Sequence, residues 1–187
     1  MFANGFIVTA LLCLSGAAAL ACAVQVFRAR SGLARVDESG RFLIAATVLG
    51  IGAGWARFAP MLVGAVLAAV LLWFVARIGL GLRGTGAEDR SGTGTAAFRS
   101  LITLSAGWVL ISVARDGVSA THHPANQLGV IILDLLAAVV LLITAIGWVL
   151  ATFAVPAESK DIRVPRSTGI TEALLAAALA VAFFAIA

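Results

Sequence analysis

The sequence predicts an all-α membrane protein, a bundle of six transmembrane helices with both termini on the extracytoplasmic side. Three observations predict it: a strongly apolar composition, apolar tracts of membrane-crossing length, and basic residues gathered in alternate loops. Hydrophobic residues make up 61% of the 187 and charged residues 12%, with a mean hydropathy of +1.07. Soluble domains average roughly 45 to 50% apolar and about 25% charged. Six crossings of about 20 residues each occupy roughly 120 positions, which leaves short loops and no separate soluble domain.

Residues 6–27 form the first expected crossing, with Ser15, Gly16 and Ala17 near its middle, where small side chains let neighbouring backbones approach. No Lys or Arg precedes Arg28, unlike the basic start of a secretory signal, so this segment is expected to stay in the mature chain. Cys13 and Cys22 both lie in it and fall on opposite helix faces at 100° per residue. They serve as small packing residues and not as a disulfide pair. Residues 28–41, with four Arg against Asp37 and Glu38, read as a short solvated loop.

The apolar tract 42–76 is about twice what one crossing needs and must fold back on itself. Arg57 and Pro60 mark the reversal between crossings 42–58 and 60–76: a guanidinium snorkels to the lipid surface, and proline lacks the amide hydrogen that a continuing helix would use. Gly50 and Gly54 make a GxxxG pair on the second crossing, a place for a neighbouring helix to pack closely. Trp73 and Arg77, one turn apart, anchor the far end of the third crossing at the interface. Residues 81–95 contain Gly84, Gly86, Gly92 and Gly94 among Thr, Ser and charged residues. With no Lys-Ser/Thr after the glycines and no strand before them, the segment is a flexible cytoplasmic linker and not a phosphate cradle.

The fourth crossing covers 97–114, and the loop after it holds Arg115, His122, His123 and Pro124. The fifth, 127–155, is the longest and is interrupted only by Asp134; its length allows tilt or projection beyond the bilayer. Pro156 ends it. The sixth covers 169–187, with Glu172 placed early enough to complement the helix N-terminal dipole.

Charge tests this arrangement independently of hydrophobicity. Six crossings put Arg28, Arg30, Arg35 and Arg41, then Arg77, Arg83, Arg90 and Arg99, then Lys160, Arg163 and Arg166 on one side, leaving only Arg57 and Arg115 on the other. By the positive-inside rule the first set is cytoplasmic and both ends face outward. The predominance of Arg over Lys, with abundant Ala, Gly and Val, points to a GC-rich bacterial genome and so to a bacterial cytoplasmic membrane. The basic residues form no contiguous patch, so the lipid bilayer and not nucleic acid is the expected partner.

Asp134 is the leading candidate for chemistry, because it lies roughly 10 Å inside its helix by helical rise, and an Asp near a helix centre costs about 2.5 to 3.5 kcal/mol to insert. Either a structural ion pair with Arg57 or Arg115 offsets that cost, or Asp134 lines an ion, proton or substrate path. His122, His123, Met1 and Met61 are the only His and Met residues and are all expected on one face. Imidazole and thioether ligands suit Cu(I), but adjacent histidines in a solvated loop are the preferred reading and no metal is assigned. The chain carries no H-E-x-x-H, G-x-S-x-G or nucleotide-binding pattern and no histidine inside a crossing to hold haem. Ser105, Ser112 and Thr144 are expected to bond backbone rather than attack a substrate. No cofactor is expected, and the reading leans away from catalysis. It favours a non-enzymatic subunit or accessory component of a membrane complex, bound to other membrane subunits or to itself as a homo-oligomer; the alternative is a small transporter or channel-like protein using Asp134.

Overall fold

The structure is a computed structural model that describes residues 5–55, 58–81, 87–115, 124–153 and 166–187. These residues form six helices: α1 (Gly5–Arg28), α2 (Gly32–Gly52), α3 (Pro60–Gly81), α4 (Ala87–Arg115), α5 (Pro124–Phe153) and α6 (Arg166–Ile186). Helix α6 is the innermost and touches α1, α2, α4 and α5. Helix α2 lies beside it and touches α1, α3 and α4 as well. Helix α3 closes the far side against α4, and α5 packs closely along α6 alone.

Five of the six, all but α2, are long and apolar enough to cross a membrane. That is the composition of an integral membrane protein, and the exterior matches it: Leu20, Phe58, Met61, Leu72, Ile143 and Phe153 all stand on the surface. Helix α2 is different because only its second half is apolar. Residues 42–52 reach ~16 Å at 1.5 Å per residue, about half of a ~30 Å hydrocarbon layer.

The first half of α2 is the segment that composition marks as a solvated loop. The structure makes it helical from Gly32, capped by Ser31, whose Oγ accepts from the amide of Ala34 at 3.1 Å. Similarly, α4 begins at Ala87, within the glycine-rich stretch 81–95, of which residues 82–86 lie outside the described residues. Once a crossing supplies a helical nucleus, each added residue gains a hydrogen bond without paying for nucleation again, so helices run on past the edge of their apolar core.

The second helix ends earlier than the crossing 42–58 implies: α2 stops at Gly52 and α3 starts at Pro60, so Gly54 lies in the turn and not on the helix. Ala53 N–H donates to Leu49 O at 2.8 Å and Gly54 N–H to Ile51 O at 3.0 Å, and Gly54 adopts a left-handed φ of +79°, the usual stop for a helix. Helix α3 then starts at Pro60, whose missing amide hydrogen would have had no partner there anyway. Residues 56–57, and so Arg57, lie outside the described residues.

The tight helix contacts are made by other glycines than the GxxxG pair. A Cβ at Gly50 would meet nothing within 4 Å. By contrast, a Cβ at Gly40 would sit 3.1 Å from the Phe74 ring, one at Gly52 would sit 3.1 Å from Leu11, and one at Gly169 would sit 1.8 Å from Thr152 Oγ1. The last is where α5 and α6 meet. Gly169→Val should therefore lower stability by about 1 to 3 kcal/mol through overpacking, read by thermal unfolding in detergent, whereas Gly50→Ala should leave the midpoint unchanged.

Candidate functional site: a buried charge cluster at the basic end

Each inner helix has an apolar stripe at helical spacing that ends in a polar residue at the same end of the bundle. On α1 the stripe is Leu11, Ser15, Ala18, Cys22 and then Gln25; on α2, reading backwards, Ile51, Val48, Ile44 and then Arg41. On α4 it is Val113, Val109, Ala106, Ile102 and then Arg99, and on α6 Phe183, Leu179, Leu175 and then Glu172. The 3.6-residue repeat thus carries four polar side chains to one point in the interior.

Glu172 is the hub. Its Oε1 accepts from Arg99 Nε at 3.0 Å and lies 3.2 Å from Arg41 Nε. The second contact is an ion pair without hydrogen-bond alignment, since Arg41 Nε has no hydrogen-bond partner. Arg41 is 0% exposed, and its Nη1 donates to Gln25 Oε1 at 2.8 Å and pairs with Glu38 Oε2 one turn before it. Arg99 Nη2 stands 3.9 Å from Glu38 Oε1, and the Arg99 guanidinium lies 5.8 Å from the centre of the Phe74 ring, within cation–π range. Gln25 completes the cluster by donating through Nε2 to Thr171 Oγ1 at 2.7 Å and to the Ser167 carbonyl at 3.1 Å.

Two guanidinium and two carboxylate groups leave this cluster formally neutral, and it joins α1, α2, α4 and α6. A second, more open group ties α2 to α3: Asp37 accepts from Trp73 Nε1 at 2.7 Å and from Arg77 Nη2 at 3.3 Å. Trp73 and Arg77, one turn apart on α3, thus share Asp37 as their acceptor.

Asp134 lies apart from the cluster. It is 2% exposed, and its Oδ1 accepts from Trp108 Nε1 of α4 at 2.8 Å. Arg57 lies outside the described residues, and so do the side chain of Arg115 and both histidines, His122 and His123. Along α4, the step from Arg99 to Trp108 is roughly 14 Å of helical rise, filled by buried Ile102 and Ala106, while Thr103 between them donates to the Arg99 carbonyl. Thr144 donates to Val140 O at 2.7 Å, the backbone bond expected of it. Among the described residues no three His, Cys, Asp or Glu side chains gather in a way that could hold a metal ion.

No family model, curated protein or solved structure matches the chain. The site therefore stands on its own geometry. Each of its four charged groups faces an opposite charge, while Arg41 Nε and Glu172 Oε2 are buried without a hydrogen-bond partner.

Glu172 sits in the second turn of α6 and is fully buried, so it is not the helix-start dipole partner that its place in the sequence suggests. Arg41 stands at the edge of the stretch that reads as a solvated loop and Arg99 at the start of the fourth crossing, and both are buried. The signal that finds all three is the continuation of the inner stripe beyond the last apolar residue.

Two substitutions separate the buried contacts from the open ones. Trp108→Phe removes the donor to a buried carboxylate and should cost about 1 to 3 kcal/mol in chemical unfolding. Arg77→Ala, at a pair that remains part-exposed, should cost under about 1 kcal/mol.

Proposed function

We propose that the chain is a six-crossing protein of a bacterial cytoplasmic membrane, with both termini outside, acting as a non-enzymatic subunit of a larger membrane assembly. The observation that carries this reading is the distribution of polarity: interior charges are paired with each other, and large apolar side chains cover the outside. Helix α2 makes the sixth crossing. Its 21 residues are ~31 Å long by helical rise, enough to span, provided that Asp37, Glu38 and Arg41 are kept from lipid. Arg41 is fully buried, and Asp37 and Glu38 are each paired with an arginine. Unpaired Arg at a helix centre would cost about 2.5 to 3.5 kcal/mol on insertion scales.

The apolar layer between the charge cluster and Asp134 supports the non-transporting role, since no chain of polar side chains joins the two ends among the described residues. Partners are then other membrane subunits or further copies of the same chain. A second reading is favoured by one feature: Asp134 is a buried carboxylate whose described hydrogen bond comes from a neutral indole, which is the setting of a proton or ion site. In that reading it lies on a transport path.

Two measurements test these readings. With both cysteines replaced, Trp55→Cys at the α2–α3 turn should react with a membrane-impermeant thiol reagent in intact cells; labelling only in inside-out vesicles overturns the topology. Extraction in mild detergent should bring down a stoichiometric membrane partner. A homo-oligomer that moves ions or protons across liposomes, and stops doing so in Asp134→Asn at normal protein level, would replace the subunit reading with the transport one.

A further inference from the structure

Beside the charge cluster, an open groove of about 510 Å³ runs between α1, α2 and α6. Its lining changes along its length. Leu20, Ala21, Val24 and Ile170 make the inner part, and Arg28, Glu38, Ser167 and Thr171 surround the end towards the basic side. From Leu20 to Arg28 the helix rises ~12 Å, so the apolar part reaches well into the hydrocarbon layer when the basic end sits at headgroup level.

We propose that this groove binds a phospholipid whose headgroup carries a primary ammonium, phosphatidylethanolamine being the simplest. The argument is charge complementarity over a short distance. Arg28 is an exposed cation on the groove wall and offers a fork of N–H donors to a phosphate. Ser167, in the first turn of α6, adds a hydroxyl and one of the backbone amides that a helix start leaves without an internal partner. Glu38, on the opposite wall, brings a negative charge. Its carboxylate has about four lone-pair sites; Arg41 takes one, and Arg99 stays at ion-pair distance, 3.9 Å. An ammonium with three donors suits the sites that remain.

A groove with one cation and one anion at its mouth selects against the other common headgroups. Glycerol headgroups bring no positive charge to Glu38. A choline headgroup brings the charge without N–H donors. One acyl chain then lies against Leu20, Val24 and Ile170. Because Glu38 belongs to both the groove and the charge cluster, the lipid bears on the same point that joins the inner helices.

This inference rests on the membrane reading above, and the experiment distinguishes the two. The full chain is purified in mild detergent, incubated with equimolar dioleoyl phosphatidylethanolamine, phosphatidylcholine and phosphatidylglycerol, and the retained lipid is read by native mass spectrometry. The expected result is about tenfold more phosphatidylethanolamine than phosphatidylcholine, the ratio that one charge-assisted hydrogen bond gives, with phosphatidylglycerol also below it. Arg28→Ala removes a phosphate contact common to the three lipids and should lower retention of each about tenfold, while leaving the unfolding midpoint in lipid-free detergent unchanged, since Arg28 is outside the charge cluster. Equal retention of the three lipids, preference for phosphatidylglycerol, or a total retention untouched by Arg28→Ala overturns the proposal and leaves the membrane reading intact. Recovery of the chain in the soluble fraction without detergent would instead overturn the membrane reading, and this inference with it.

Discussion

The fold depends on Glu172 being shared by Arg41 and Arg99 in a part of the molecule that water does not reach. A single buried carboxylate or guanidinium loses several kcal/mol of solvation, and attraction to one opposite charge returns only part of it. Here four charges and Gln25 surround one another, so each ion has more than one partner. The geometry leaves little freedom: α2 and α6 must keep their rotation about their own axes, or the arginine and the glutamate turn toward the apolar exterior. A contact of this kind specifies which helices are neighbours more than it adds to net stability.

That constraint explains the odd helix of the bundle. Helix α2 has half the apolar length of the other five, and its charged half begins with Gly32 beside an exposed α1–α2 connection. Arg41, Asp37 and Glu38 are tolerated in the interior because α1, α3, α4 and α6 each offer them a partner. At the other end of the molecule the solution is different. Asp134 on α5 meets a neutral donor, Trp108, across a gap too wide for the α4 and α5 backbones to approach. Further along the same gap, Phe98 and Trp148 meet with ring centroids 5.3 Å apart. Large aromatic side chains from α4 and α5 thus fill the space, whereas small residues hold α5 against α6 at Gly169.

Much of the architecture was legible because lipid-scale hydrophobicity is a property of single segments. The long apolar runs, a helix start at Pro60 and the burial of Asp134 each follow from local sequence, whereas the end of α2 at Gly52, ahead of Gly54, does not. The cluster was harder to see, because an apolar window stops at the first charge. Arg41 therefore reads as the edge of a solvated loop, Arg99 as a basic residue at the mouth of a crossing, and Glu172 as a helix-start acid. Their partners lie on other helices, tens to more than a hundred positions away, and one sequence holds no direct record of such distances. The periodicity does hold a partial record: the stripe Ile51, Val48, Ile44 continues without a change of phase into Arg41. Gly50 shows the opposite error, since its spacing to Gly54 follows the GxxxG pattern while its face meets open space.

The central claim is that Arg41 and Glu172 hold the inner helices together as a coupled pair, and a double-mutant cycle measures it directly. Arg41→Met and Glu172→Met should each cost about 3 to 5 kcal/mol, because each strands a buried opposite charge. The double variant should cost far less than the two combined. If the two effects instead add to within about 0.5 kcal/mol, as they do for independent sites, the pair is not coupled and this account of the fold is contradicted.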